Sequence, residues 1–125
     1  MYMAKKWPWT DEQVEAALHI LEGATKANPI TSEYLGDQLG LNDIEGNWKA
    51  RNLISEVIRR TGLPLAANGR GYYKMETLED LKEYRESLQR RIVEMTDRIS
   101  LAERSFLKAY GKLPELTEEI TEIDG

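Results

Sequence analysis

A chain of 125 residues with 41% hydrophobic and 31% charged residues is long enough for one ordinary domain with an extension. The absence of cysteine excludes disulfides, thiolate metal sites and cysteine nucleophiles. No apolar run approaches the roughly 18 residues of a membrane-spanning helix. The two lysines near the N-terminus are followed by no apolar stretch typical of a signal peptide. We therefore expect a cytoplasmic protein that is not exported and does not enter a membrane.

The net charge of −5 is unevenly distributed along the chain. Residues 1–45 carry three lysines and eight acidic residues, and residues 76–125 carry eight basic and thirteen acidic residues. Residues 46–75 carry six Lys or Arg residues against the single Glu56, which gives a local charge of +5. This basic stretch indicates the part of the chain that would face a nucleic acid.

The first predicted helix begins at Asp11, because Thr10 is a suitable N-cap and Gln13 completes a capping box. Apolar residues spaced by three and four give this helix one buried face. An Asn-Pro dipeptide bars its continuation, so we expect it to end near Thr25.

Two tryptophans, Trp7 and Trp9, precede this helix. They could pack on the core and fix the helix there, or they could present an aromatic arm to a partner. The sequence leaves both possibilities open.

The second predicted helix has Thr31 as its N-cap, passes through Leu35 and Leu39, and ends at Gly40. Gly36 lies in its middle, where glycine costs roughly 1 kcal/mol relative to alanine. We expect such a glycine where a neighbouring helix approaches closely.

The third predicted helix starts between Ile44 and Asn47 and ends at Arg60. Projection at about 100° per residue separates an apolar face from a polar one. The apolar face, expected in the core, consists of Ala50, Leu53, Ile54, Val57 and Ile58. The opposite face consists of Trp48, Asn52, Ser55 and Arg59, flanked by Lys49, Arg51 and Glu56. Arg, Lys, Asn and Ser side chains read base edges or hold phosphates, so this face predicts a recognition helix for the major groove; the alternative is a merely solvated face.

A β-hairpin is predicted over residues 63–74, with its turn at the Asn68-Gly69 dipeptide. Arg70 then lies at the tip, where it suits a phosphate or minor-groove contact. Tyr72 and Tyr73 are consecutive in a strand, so one should pack inward and the other outward.

Residues 30–75 therefore have the order helix, turn, helix, hairpin. With the strand motif Gly62-Leu63-Pro64-Leu65 and the hairpin end Gly71-Tyr72-Tyr73, this stretch resembles the winged-helix domains of bacterial and phage regulators of the biotin-operon-repressor type, and it is similar to small phage-encoded helix-turn-helix proteins. The resemblance implies a mainly α winged helix-turn-helix over residues 1–75, with three helices and a β-hairpin wing. It also implies double-stranded DNA as partner and a role in transcription regulation or DNA replication.

The residues expected to contact DNA lie at the start of the second helix, on the outward face of the third helix and on the wing. They are Thr31, Ser32, Asn47, Trp48, Lys49, Arg51, Asn52, Ser55, Arg59, Arg70 and Lys74.

Residues 76–110 contain no Pro or Gly and have Thr77 as a suitable N-cap, which predicts one helix of roughly 50 Å. Its apolar residues follow a heptad pattern, interrupted at one position by Arg85. The pattern predicts a coiled coil between the two copies of a homodimer; the alternative is packing back on the first helix. The residues expected to pair the copies are Leu81, Leu88, Ile92, Met95, Ile99, Ala102 and Phe106. Residues 111–125 are predicted to be an acidic flexible tail.

Catalysis is not expected from this sequence. His19 is the only histidine, which excludes His-based triads and multi-histidine metal sites, and no Gly-rich phosphate loop follows a strand. We expect no metal and no cofactor. Two functions stay open: a dimeric, sequence-specific double-stranded DNA-binding protein, or a winged-helix protein-interaction module, an adaptor or inhibitor of a host protein, that does not bind DNA.

Overall fold

The computed structural model describes residues 8–41 and 47–112. Six elements follow one another along the chain: α1 (Asp11–Leu21), α2 (Ser32–Leu39), α3 (Trp48–Thr61), β1 (Leu65–Asn68), β2 (Gly71–Lys74) and α4 (Leu78–Tyr110). The described protein is therefore mainly helical, with one two-stranded antiparallel hairpin and a long last helix, as predicted at this level. Among the described helices, none combines the length and the apolar content needed to cross a membrane.

The chain divides into two units, and the division falls inside α4, between Arg85 and Glu86. The first unit contains α1, α2, α3, the hairpin and the first two turns of α4. The second contains the rest of α4.

Three helices begin at a threonine whose hydroxyl oxygen accepts a hydrogen bond from a backbone N–H, as predicted. The donor lies three residues further on in each case: Gln13 for Thr10 at 3.2 Å, Tyr34 for Thr31 at 3.0 Å, and Asp80 for Thr77 at 3.1 Å. The Gln13 side chain also accepts from the Thr10 N–H at 2.9 Å, which completes the predicted capping box.

The end of α1 differs from the prediction. The helix ends at Leu21, not near Thr25. The backbone that follows it forms a hydrogen bond with the second strand of the hairpin instead. Ala24 is fully buried, and its carbonyl oxygen accepts a 3.1 Å hydrogen bond from the N–H of Lys74. A residue paired with a strand in this way cannot continue the helix.

Left-handed residues mark the ends of α2 and α3. Gly40 (φ 67°) ends α2, as predicted, and Gly62 (φ 73°) ends α3. Asn47 (φ 65°) precedes α3, which begins at Trp48, one residue after the predicted interval. Residues 42–46, which include most of that interval, lie outside the described residues. The last helical residue, Thr61, is one beyond the predicted end.

The core of the first unit is built on one face of α3. Ala50, Leu53, Ile54 and Val57 are 0–1% exposed, as predicted for this apolar stripe. The stripe packs with buried side chains of the other elements, among them Ala17, Leu21, Leu35 and Leu65. Ile58, predicted in the same stripe, is 37% exposed. At about 100° per residue it lies furthest from the centre of the stripe, at the edge of the helix face that the core covers.

The hairpin turn lies one residue later than predicted. Asn68 pairs with Gly71 in the strand ladder, so the two loop residues are Gly69 and Arg70. The Asn68 side-chain oxygen accepts a 2.8 Å hydrogen bond from the Arg70 N–H, the turn that asparagine forms with the backbone two residues on. Asparagine thus closes the turn from within the strand.

The second strand has a backbone partner on each side. One side pairs with β1, and on the other Ile30 and Tyr72 exchange two N–H to O hydrogen bonds of 2.8 Å each. The alternation expected of the two tyrosines is found, with Tyr73 3% exposed and Tyr72 half-buried. Gly71 has φ 136°, and a Cβ there would lie 2.8 Å from the Ile30 carbonyl oxygen. Only glycine allows this approach.

Lys26 connects the segment after α1 to the first turns of α4. Its Nζ lies 3.4 Å from Asp80 Oδ1 and 2.5 Å from Glu83 Oε2. The hydrogen bond to Glu83 raises the pKa of the Lys26 ammonium above its ordinary 10.5. The pKa of the Asp80 carboxyl is lowered, mainly because it accepts the N–H of Glu76. The Asp80 carboxylate therefore both accepts backbone N–H groups before α4 and pairs with Lys26.

We predict that Gly71→Ala lowers the free energy of unfolding by about 1–3 kcal/mol, because the new methyl group meets the Ile30 backbone and φ is unfavourable. Gly69→Ala is the matched control, since a Cβ at Gly69 has no neighbour within 4 Å. Urea denaturation of both variants measures the difference. Equal stabilities would contradict the close approach.

Candidate nucleic-acid interface

Asn52 lies on the polar face of α3, but it is engaged within the protein. Its Oδ1 accepts a 2.8 Å hydrogen bond from the indole Nε1 of Trp9, and Trp9 is 5% exposed. For Trp9, the structure therefore decides between the two alternatives in favour of packing on the core. Trp7 lies outside the described residues. The buried indole N–H needs an acceptor, so Asn52 Oδ1 is used within the protein, and the contact of Asn52 with DNA stays a prediction.

The last two turns of α3 carry an ion cluster centred on Glu56. Its Oε1 lies 2.7 Å from Arg59 Nη2, and its Oε2 lies 2.8 Å from Arg60 Nε. Arg60 also contacts Asp11 Oδ1 at 3.2 Å and donates to the Trp9 carbonyl oxygen at 3.2 Å. Arg60 thus holds the start of α1 against α3, whereas the Arg59 side chain remains 58% exposed.

The two arginines change the protonation of Glu56. Hydrogen bonds from Arg59 and then Arg60 lower the pKa of the Glu56 carboxyl below its ordinary 4.5. A carboxyl with a lowered pKa stabilises the folded state at pH values above its unfolded pKa, and this stabilisation disappears as the pH falls through the folded value. The contribution is small, since the side chains of Arg59 and Arg60 are 58% and 37% exposed and solvent screens the pairs.

Arg51 lies near the hairpin. Its backbone carbonyl oxygen accepts a 3.2 Å hydrogen bond from the Ser55 hydroxyl, and its side chain is exposed. Burial raises the pKa of the Tyr72 phenol above 10.0, and the positive charge of Arg51 partly offsets this increase. Arg51 and Ser55 are therefore exposed on α3 in a region that also includes the partly buried β2 tyrosine.

The two cations of the hairpin point to the segment that follows α1. Arg70 Nη2 donates to the Ala27 carbonyl oxygen at 3.2 Å, and Lys74 Nζ donates to the Glu22 carbonyl oxygen at 3.3 Å. Arg70 is exposed near the tip, as predicted, and Lys74 is half-buried. Their hydrogen bonds to main-chain oxygens leave their positive charges unneutralised.

The remaining predicted contact residues lie at helix starts. Thr31 is exposed, but its hydroxyl oxygen caps α2. Ser32, the first residue of α2, is half-buried. Asn47, Trp48 and Lys49 are half-buried at the start of α3, and the Asn47 side chain makes no capping hydrogen bond there.

The structure therefore sorts the predicted site into groups. Arg51, Ser55 and Arg59 are exposed on α3, Asn52 and Thr31 have internal structural roles, and the hairpin cations contact a different segment. The sequence did not single out Arg60 as a structural contact. Its spacing of four residues from Glu56 was a usable signal for that ion pair, but nothing local indicated the contact with Trp9.

We predict that Asn52→Ala destabilises the protein by about 1–3 kcal/mol, because the buried Trp9 N–H loses its acceptor. Ser55→Ala, one helical turn away on the exposed side, should change stability by less than about 0.5 kcal/mol. Thermal unfolding followed by circular dichroism compares the two. A larger effect at Ser55 than at Asn52 would contradict the internal role of Asn52.

We also predict that Glu56→Gln flattens the acid side of the stability profile. The wild type should lose more stability than the variant as the pH falls from neutral through 4.5 towards acid, because only the wild type must protonate a paired carboxylate. At neutral pH, the variant should be less stable by under about 1 kcal/mol. Midpoints of thermal unfolding across this range test it, with Glu15→Gln on the exposed side of α1 as control. Parallel profiles for wild type and Glu56→Gln would refute it.

No group of three or more His, Asp or Glu residues in the described part of the chain is arranged to hold a metal ion. No protein-family model matches the chain, and neither a curated protein nor a solved structure is similar to it at a significant level.

Proposed function

We propose that the first unit is a winged helix-turn-helix that binds double-stranded DNA through α3. The observation that carries the proposal is the division of α3 into a fully buried apolar stripe and an exposed side bearing Arg51, Ser55 and Arg59. This helix and the hairpin lie in the only one of the three sequence segments with a positive net charge. Exposed arginines on such a helix suit phosphates and the major-groove edge of guanine.

Three features of the fold support the winged form. A short α2 precedes α3, an antiparallel hairpin follows it, and the Ile30 backbone pairs with β2 on the side away from β1. In the proposed complex, α3 lies in the major groove and the hairpin lies along the backbone or minor groove. Arg70, near the hairpin tip, is the cation best placed for that contact.

Glu56 has a role in this proposal because it competes with DNA for Arg59. In the free protein the Glu56 carboxylate pairs with both Arg59 and Arg60. A phosphate of the duplex would take over Arg59, which is the more exposed of the two, while Arg60 stays with Asp11 and Trp9. Binding therefore requires an exchange of partners at one arginine.

In this proposal the protein is a dimer, and it acts in a bacterium or phage as a regulator of transcription or in DNA replication. Apolar residues of α4 that are exposed in the single chain support the dimer, since Ile92, Met95 and Ile99 are each 58–62% exposed. Paired subunits would contact half-sites about 34 Å apart or at a multiple of that distance.

Salt-dependent gel shifts with duplex DNA test DNA binding directly. With about four to six phosphate contacts per subunit, the logarithm of the binding constant should fall by about 0.9 per contact for each unit of log salt. Arg51→Ala and Arg59→Ala should each weaken binding about 3- to 10-fold and reduce the slope by about one contact. Arg90→Ala removes the same charge from α4 and should leave binding unchanged. A flat salt dependence, or no binding at low salt, would refute the proposal.

A second function is favoured by a different observation. Asn52 and Arg59, two of the predicted base-reading residues, are occupied by Trp9 and Glu56, and α4 exposes apolar side chains over its whole length. A winged-helix module that binds a protein and no DNA, as an adaptor or inhibitor of a host protein, would have these properties. This function predicts no gel shift with random duplex at low salt and capture of a protein partner through residues 77–110.

A further inference from the structure

Most exposed apolar residues of α4 fall in two rows, each with one position every seven residues, and one arginine interrupts the first row. The first row contains Leu78, Arg85, Ile92, Ile99 and Phe106, and the second contains Leu81, Leu88, Met95, Ala102 and Ala109. None of these residues is buried within the chain. We call the two rows together the seam. Val93, Leu101 and Leu107 lie outside the seam, and scattered apolar residues of this kind are normal on a surface.

We propose that the seam binds the seam of a second copy with the two α4 helices antiparallel. The inference rests on the proposed dimer and adds the orientation of its helices. In this orientation each first-row residue faces a second-row residue of the other copy. Leu78 faces Ala109 and Arg85 faces Ala102 at one end, Ile92 faces Met95 at the centre, and symmetry repeats these contacts at the other end.

Side-chain volume favours this orientation over the parallel one. In a parallel dimer each residue faces its own copy, so Ala102 meets Ala102 and Ala109 meets Ala109 around a layer that contains two Phe106 rings. Two narrow layers next to one wide layer pack with voids. The antiparallel dimer places each alanine opposite a long side chain, and Phe106 faces Leu81, so that large and small residues alternate across the seam.

Arg85 gives an independent reason. A parallel dimer places the two Arg85 guanidinium groups in the same layer of the seam, where like charges repel in a region partly removed from water. In the antiparallel dimer the two Arg85 residues lie about 26 Å apart at 1.5 Å per residue. Each then lies across the small side chain of Ala102, which leaves room for the arginine stem to pack and its charged group to reach solvent.

Of the charged residues beside the seam, some favour the antiparallel orientation and others favour the parallel one. The antiparallel dimer brings Lys82 near Glu103 of the other copy, but it also brings Arg91 near Arg98. The parallel dimer pairs Arg98 with Glu103. Exposed pairs of this kind are weak and are screened by salt, so they do not outweigh packing and the Arg85 repulsion inside the seam.

Cysteine cross-linking tests the orientation, because the chain contains no cysteine of its own. Arg85→Cys and Ala102→Cys are prepared as separate full-length variants, one with a tag that changes its mass, and are mixed and oxidised. The antiparallel dimer should give the mixed disulfide in the mixture and none with either variant alone. In the antiparallel dimer, the two copies of either substituted position lie about 26 Å apart along the helices. A disulfide spans a Cα separation of only about 4.4–6.8 Å, so it cannot join them. Arg90→Cys, on the side of α4 away from the seam, replaces Arg85→Cys in the control mixture and should give no disulfide.

Each other outcome overturns the proposal. A disulfide that forms in each variant alone shows a parallel dimer. A second contrary result is the mass of a monomer by light scattering, for the wild type and for variants with unchanged helix content. That result shows that the seam does not bind a second copy. A mass above that of a dimer shows a larger bundle. The cross-linking uses no DNA, so the two proposals fail separately. If the mixed disulfide forms but the wild type gives no gel shift, DNA binding alone is refuted. If the wild type gives a gel shift but the mixed disulfide does not form, the orientation alone is refuted.

Discussion

The close contact between the Ile30 backbone and the second strand determines the arrangement of the first unit. Two hydrogen bonds of 2.8 Å join Ile30 to Tyr72, and the adjacent residue Thr31 caps α2, so the position of the strand sets where α2 begins. The approach requires glycine at position 71. The neighbouring hydrogen bond from Lys74 to Ala24 also ends α1 at its observed place. One strand therefore sets the end of one helix and the start of the next.

Features that depend on neighbouring residues could be predicted from the sequence. Threonine caps, glycine ends and the apolar stripe of α3 each follow from interactions within a few residues, and all are found in the structure except that Ile58 of the stripe is exposed. The two main errors of the fold have a different origin. The end of α1 depends on Lys74, some fifty residues away, and Ile58 depends on how far the core extends around α3. Propensity contains no information about either.

The candidate site could be predicted only in part. Residue type and helix face identified Arg51, Ser55 and Arg59 as exposed on α3. The same projection placed Asn52 outward, because it includes no side chain from a distant segment. Trp9 reaches Asn52 across 43 positions of sequence, and its buried indole N–H takes an acceptor that would otherwise be available to a ligand. The polar face of a helix thus includes residues with polar atoms that are engaged within the protein and are not available to a partner.

Long-range hydrogen bonds between Trp9 and α3 also affect how the first unit folds. The Trp9 side chain hydrogen-bonds to Asn52, and its carbonyl oxygen accepts from Arg60, which lies 51 positions further along the chain. Both contacts close long loops, and the entropy of loop closure must be lost before either contact contributes. Contacts of this range slow the folding of the domain relative to a helical bundle of local contacts.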